Sequence, residues 1–248
     1  MQHIPLSAWP RREAAAFFGA LDFPFYSVSW RADVTRLRAA AKRDGLSFYL
    51  SMVYEVTAAL GEVDAFLYKL RGGTVVRHER LSPSFTVPAP GGNFKIVSVD
   101  AVPGETRAAF CLRARAAADA QERPFPTPEQ ERRDDLAYLS CLPWLDLVSL
   151  THEMNLDRDD SIPRVAWGKF VPEGGRLRLT VGLQVNHRLI DGLHIGQFAE
   201  ALPTVAEELP EKQFLFIDNV MNGSLDNEMS IVYAQNEGSF LVGYIAGK

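Results

Sequence analysis

Between His187 and Gly192 the sequence places an aspartate four positions after a histidine and a glycine directly after that, an HxxxDG pattern. Each residue type suits a distinct task. A histidine exchanges its proton near neutral pH, so His187 can take a proton from an alcohol where a serine or lysine could not do so directly. Asp191 can hold the surrounding backbone through an ion pair, and Gly192 permits a turn that a side chain would block. Three fixed positions in six are a moderate signal alone. A surface histidine followed by a helix-capping aspartate has the same pattern.

Other chemistries find little support. His3, His78 and His152 make no ligand spacing with one another, and Cys111 and Cys141 sit in no CxxC or Cys/His pattern, so no metal is expected and the thiols read as buried. His194 reads as a partly exposed or core-satisfied helix residue rather than a second base. Gly91-Gly92 and Gly174-Gly175 lack the flanking residues of a phosphate loop and read as turns. The basic cluster 36–43 reads as the solvated face of a helix, with CoA-phosphate binding as the lesser alternative. A formal net charge of -5 argues against a general nucleic-acid surface. The content of 47% apolar and 23% charged residues fits a soluble globular protein. No apolar run reaches the roughly 18 residues of a membrane helix, and the first residues lack a secretory leader pattern, so a cytoplasmic protein is expected.

The positioning elements read as mixed α and β, with 248 residues allowing one large domain or two small ones. Helices are predicted over 11–21, 34–43, 47–63, 105–121 and 193–209, the last with Leu193, Ile195, Phe198, Leu202 and Val205 on one buried face. Strands are predicted over 26–33, 66–70, 75–78, 84–87, 94–99, 136–140 and 145–150. Gly72-Gly73 marks one hairpin. A second runs from strand 164–171 through Glu173-Gly174-Gly175 into 176–186, and it delivers His187 at the end of a long strand. Residues 210–248 change character: from 211 onward there is no Arg, and Asn, Ser, Gly and β-branched residues are dense. They read as further strands at 214–217, 229–233 and 240–245, or as an appended segment unrelated to the function.

The stretch VGLQVNHRLIDGLHIGQFAEAL, residues 181–202, closely resembles the active-site segment of chloramphenicol acetyltransferases. Three further matches fall in the right order: Trp9-Pro10-Arg11-Arg12-Glu13, Ser140-Cys141-Leu142-Pro143-Trp144, and residues 163–170. The resemblance runs from about Pro5 to Leu209, making residues 1–209 one domain and 210–248 a C-terminal extension. It implies a mixed-sheet two-layer α/β sandwich, a homotrimer with active sites between subunits, and acetyl transfer from acetyl-CoA to the hydroxyl of a small-molecule alcohol such as chloramphenicol. No nucleic acid or membrane takes part.

By the same resemblance His187 is the general base, and Asp191 with Arg11 forms a buried ion pair, whose breakage typically costs about 3–5 kcal/mol. Ser140 stabilises the oxyanion, a role worth about 2.7–4 kcal/mol elsewhere. Trp144, Tyr49 and Phe170 fall near the CoA channel. Phe17, Phe18, Tyr26 and Ala166 fall on the acceptor side. Three departures stand out. Ala166 replaces a threonine that orders a water, Phe18 replaces a tyrosine that bonds the antibiotic, and His152 replaces an aliphatic pocket residue. A Ser140-His187-Asp191 hydrolase lacks the GxSxG elbow and needs the aspartate that Arg11 claims. A different acceptor alcohol or amine, and a non-catalytic binding or assembly module, are the remaining alternatives.

Overall fold

In the computed structural model, residues 2–154, 156–202, 214–217 and 228–231 are described. The chain starts with β1 (Gln2–Pro5), α1 (Arg12–Gly19), β2 (Phe25–Asp33), α2 (Thr35–Arg43), α3 (Phe48–Glu62) and α4 (Asp64–Leu67). Next come β3 (Tyr68–Arg71), β4 (Thr74–Arg77), β5 (Ser82–Pro88), β6 (Phe94–Ser98), α5 (Arg107–Ala120) and α6 (Pro128–Glu131). Then follow β7 (Leu136–Leu142), β8 (Arg164–Gly168), β9 (Val171–Glu173), β10 (Arg176–Asn186) and α7 (Gly192–Ala201). A parallel pair, β11 (Phe214–Ile217) and β12 (Glu228–Ile231), lies beyond.

Local chemistry explains the main boundaries. Ser47 caps α3 by accepting from the Leu50 amide, and Thr106 caps α5 by accepting from Ala109. Gly174 and Gly175 take φ of 57° and 79°, a backbone open to glycine that turns β9 tightly into β10. That turn sends eleven residues back through the middle of the molecule. β10 pairs antiparallel with β2 on one side and β8 on the other. The main sheet runs β2-β10-β8-β7-β5-β6, parallel across β8-β7-β5 and antiparallel elsewhere, while β1-β4-β3 form a small separate sheet.

The two faces of the main sheet differ in kind. Leu179, Val181, Leu183, Val165, Trp167, Leu139 and Phe85 are buried in one core with Val53, Val56 and Leu60 of α3, Phe110 of α5 and Phe198 of α7. Each fully buried side chain of this size contributes roughly 1.5–3 kcal/mol. The alternate residues, among them Ser27, Gln184, Arg164, Tyr138, Ser140 and Thr86, point the other way, because strand side chains alternate. Among the described residues no helix layer covers that face. The irregular chain between β7 and β8 crosses it, through Thr180 to the Leu147 carbonyl and the His152 amide to Gln184 Oε1. The architecture is the mixed-sheet two-layer α/β sandwich expected.

Several elements differ from the sequence reading. Residues 145–150 form no strand, because β8 already occupies the pairing edge of β7 and their apolar residues lie across the sheet. Residues 64–67 are a helical turn before β3, and the strand over 164–171 breaks between Gly168 and Val171. Leu193 is 42% exposed rather than part of the buried face, which Ile195, Phe198 and Leu202 supply. Cys111 is buried but Cys141 only half so. The helix beyond residue 202 and the strand at 240–245 lie outside the described residues.

Gly168 shows how closely the crossing segment is fastened. A Cβ there would lie 2.7 Å from the Leu145 carbonyl oxygen and 2.9 Å from Leu147 Cγ, and the Lys169 amide donates to the same carbonyl at 2.7 Å. Gly168→Ala should therefore destabilise the protein by about 1–3 kcal/mol in urea unfolding. An unchanged midpoint would show that this contact carries no load.

Candidate active site

His187 stands one residue beyond β10, and its amide donates to the Pro24 carbonyl at 2.8 Å. Asn186 shapes the turn: its side-chain oxygen accepts from the Arg188 amide at 3.0 Å, and its carbonyl accepts from Leu189 and Ile190. Within that turn His187 Nδ1 lies 2.9 Å from the Ile190 carbonyl oxygen. A carbonyl only accepts, so Nδ1 carries a proton, and in the neutral ring it is Nε2 that holds the lone pair. Aromatic rings fix the plane of the imidazole. Phe18 stacks on it at 3.7 Å between centroids, and Tyr26 leans on it at 4.2 Å. Phe18 lacks the hydroxyl of the expected tyrosine but keeps a ring in contact. Phe17 packs edge-on against Phe18 and is 68% exposed.

Asp191 serves the same turn from below. Its carboxylate accepts from Arg11 Nη2 at 2.6 Å and from the Leu193 amide at 3.1 Å, capping α7. The ion pair foreseen between these residues is present, but it is half-exposed, with side chains at 31% and 32%. The cost of a buried pair therefore overstates its worth. His194 joins it: Nδ1 lies 2.9 Å from the carboxylate and 3.1 Å from the Asp191 amide nitrogen. One ring nitrogen cannot donate to the first and accept from the second at once. The contact to the carboxylate is the shorter of the two and the charge-assisted one. Partial burial alone would raise that carboxyl, yet bonds from His194 and Arg11 hold it well below the usual carboxylate range. The Tyr26 hydroxyl is buried nearby without a hydrogen-bond partner among the described residues. Burial and the Asp191 charge push its pKa up, against the opposing pull of Arg11.

Ser140 lies in a different neighbourhood. On β7 it is flanked by Thr86 of β5, whose hydroxyl is 3.2 Å away, and by Ala166 of β8, its partner in register. Tyr49 of α3 donates to the Thr86 carbonyl at 2.6 Å. Ser140, Thr86, Tyr138, Arg164, Phe125 and His152 line a cavity of about 900 Å³ on the face away from the helices. Burial pushes the His152 pKa down, favouring neutral imidazole. Phe170 packs on Phe48 with the Arg38 guanidinium over both rings. Trp144 is 81% exposed just past β7 and does not line the cavity.

One chain therefore gathers His187, Phe17, Phe18, Tyr26, Arg11 and Asp191 at one place, and Ser140, Ala166 and His152 at another, while the Tyr49 ring lies on the helix-covered face of the sheet against Phe85 and Trp167. The register gives the gap. Ser140 aligns with Ala166 and Ala166 with Gly182, two strand spacings and five residues from His187, or about 20 Å. Thr86, Asn186 and Tyr138 carry no mark in the sequence as site residues, and His194, which reads as a plain helix residue, is a partner of Asp191. Only His194 had a local signal, three positions after a capping aspartate. Among the described residues no group of three or more His, Cys, Asp or Glu side chains is arranged to hold a metal ion. Nor is any helix among them long and apolar enough to cross a membrane.

The depressed Asp191 pKa makes the stability of this turn depend on pH. A carboxyl lowered in the folded state contributes stability above its ordinary pKa, and loses it as pH falls through the folded value. Asn retains the helix cap. Asp191→Asn should thus cost on the order of 1 kcal/mol at pH 7, and progressively less below about pH 4. Urea midpoints for both proteins across that range test this, and a gap independent of pH would contradict it.

Comparison with known proteins bears on all of this geometry. Residues 1–203 match the sequence model of the chloramphenicol acetyltransferase family, and residues 192–248 match that of an ABC transporter substrate-binding protein, PnrA-like. Chloramphenicol acetyltransferase 2 of Escherichia coli is 26% identical over 207 residues, covering 83% of this chain and 97% of its own. The Bacillus pumilus enzyme is 28% identical over 190 residues, covering 75% and 84%. A solved chloramphenicol acetyltransferase superposes with a TM-score of 0.73 at 26% identity, over 81% of this chain and 97% of that one. An Azotobacter vinelandii dihydrolipoamide acetyltransferase shares the fold, with a TM-score of 0.57 at 20% identity over 74% and 82%. The chain belongs to the chloramphenicol acetyltransferase family and is an acyltransferase.

Proposed function

We propose that this protein transfers the acetyl group of acetyl-CoA to the hydroxyl of a small acceptor, chloramphenicol being the acceptor its relatives' names point to, with His187 as general base. The bond from Nδ1 to the Ile190 carbonyl carries the reading, since it leaves Nε2 free to take a proton. In the step, Nε2 removes the acceptor's hydroxyl proton as its oxygen attacks the thioester carbonyl carbon. The oxyanion of the tetrahedral intermediate accepts a hydrogen bond from Ser140. Collapse breaks the carbon–sulfur bond, and the departing CoA thiolate takes the proton back from the imidazolium. No acyl-enzyme forms. Thr86 supports the serine's part: with the Thr86 hydroxyl as donor in their 3.2 Å contact, the Ser140 proton is left for the oxyanion.

Base, attacking oxygen, carbonyl and oxyanion donor must lie in series at hydrogen-bond and near-attack distances, which keeps Nε2 and Ser140 Oγ within about 9 Å. A gap of about 20 Å inside one chain is too wide. His187 of one copy therefore acts with Ser140 of another, in an assembly that the resemblance points to as a homotrimer. Phe17, Leu21 and Phe23 near the imidazole are 68%, 46% and 50% exposed, an apolar patch suited to burial against a second copy. Trp144, Tyr49 and Phe170 are assigned to the CoA side, and Phe17, Phe18, Tyr26 and Ala166 to the acceptor side. Polar groups at Tyr138, Arg164 and His152 in the cavity favour, as a second reading, a different alcohol or an amine as acceptor. We assign residues 210–248 to a separate extension, since the acetyltransferase match ends at 203 and a different family's match continues to the end.

Release of CoA thiol from acetyl-CoA, measured across acceptors, tests the reading. His187→Ala should abolish nearly all turnover while the protein stays folded. Ser140→Ala should lower kcat by roughly 100–1,000-fold with a far smaller change in KM. Residues 1–209 alone should keep the activity. Turnover surviving His187→Ala would overturn the assignment, and turnover only without chloramphenicol would favour the second reading.

A further inference from the structure

The residue directly after the histidine has a role that acyl-transfer chemistry does not require. The Arg188 side chain is 12% exposed and reaches three partners on two separate segments. Nη1 pairs with Asp159 Oδ1 at 2.7 Å and donates to the Arg158 carbonyl at 3.2 Å, while Nε donates to the Ala15 carbonyl of α1 at 3.3 Å. Gly19, at the end of the same helix, comes so near that a Cβ there would lie 3.0 Å from Arg188 Nε. Arg188 thus grips the helix whose Phe18 stacks on His187.

On the other side of the histidine, Asn186 is 4% exposed. Its Nδ2 donates to the carbonyls of Arg158 and Asp160, both at 2.9 Å. The segment so bound lines the cavity of Ser140 through Asp157, Asp159, Asp160 and Ser161. Asp160 in turn pairs with Arg164 of β8 at 2.7 Å.

We propose that Arg188 is a positioning residue, whose bonds to Ala15 and Asp159 aim the His187 imidazole and strap its turn to the wall of the acceptor cavity. This rests on the acyl-transfer reading given above. In a site shared between copies, the strap runs from the wall of one cavity to the base that serves the next. A guanidinium suits the place because its planar donors reach a carboxylate and two carbonyls in different directions. Small displacements of a base are costly in rate, since misplacement by about 1 Å can cost about 100-fold.

Arg188→Met should lower kcat about 10- to 100-fold while the KM for acetyl-CoA changes less than about threefold. Asp159→Asn should move kcat in the same direction, and adding it to Arg188→Met should cost little more, as expected for partners in one interaction. Arg188→Lys keeps the charge facing Asp159 and should recover part of the rate. With ¹⁵N-labelled histidine, the His187 Nδ1 resonance should broaden or shift in Arg188→Met. A folded Arg188→Met with kcat within twofold of the parent and that resonance unmoved would overturn the proposal. If Arg188→Met fails to fold, Arg188→Lys and Asp159→Asn decide by the same readouts. If the unaltered protein releases no CoA with any acceptor, the acyl-transfer reading fails, and the Nδ1 resonance alone still decides the positioning role.

Discussion

Backbone pairing across β10, β8 and β7 sets the distance between the imidazole and the serine hydroxyl, and every functional statement depends on that distance. Side chains can bend toward one another by a few ångströms, but they cannot close a gap of two strands and five residues without breaking the ladder that buries Val181, Leu183, Val165 and Leu139. The ladder that buries the core is therefore also what holds the two side chains apart. The half-exposed Arg11–Asp191 pair and the apolar patch at Phe17, Leu21 and Phe23 lie at the end where the histidine emerges. A second copy covering that end would desolvate the pair and strengthen it.

Around the histidine, polar contacts are spent on orientation rather than on direct chemistry. Ile190 fixes the tautomer, Phe18 and Tyr26 fix the ring plane, and Asp191 ties the following helix to Arg11. Around the serine, the neighbours have been exchanged. A hydroxyl expected on the β8 side is missing at Ala166, while Thr86 presents one from β5. The cavity combines apolar Phe125 with Tyr138, Arg164 and a neutral-leaning His152, and so offers hydrogen-bonding groups as well as an aromatic surface.

Features coded by nearby residues were legible in the sequence. Gly72-Gly73 and Gly174-Gly175 announce hairpins because their backbone angles suit glycine, and HxxxDG announces the turn because the histidine, its cap and its helix lie within a few positions. The Arg11–Asp191 pair came from resemblance, not spacing, since 180 positions separate the two. Contacts set by register stayed hidden. Thr86 meets Ser140 only because β5 and β7 pair in parallel across a helix, and the apolar run at 145–150 looks like a strand although it crosses the sheet face. The gap between Ser140 and His187 belongs to the same class, as it requires the strand order β10-β8-β7.

The central claim, that one copy's histidine works with another copy's serine, is tested most directly by complementation. Co-expressing His187→Ala and Ser140→Ala chains forms mixed oligomers in which some interfaces join an intact histidine to an intact serine. Random mixing at equal amounts should restore about one quarter of the wild-type CoA release, since each half of a site is intact half the time. Mixed oligomers no more active than either variant alone would mean that no site is shared between copies.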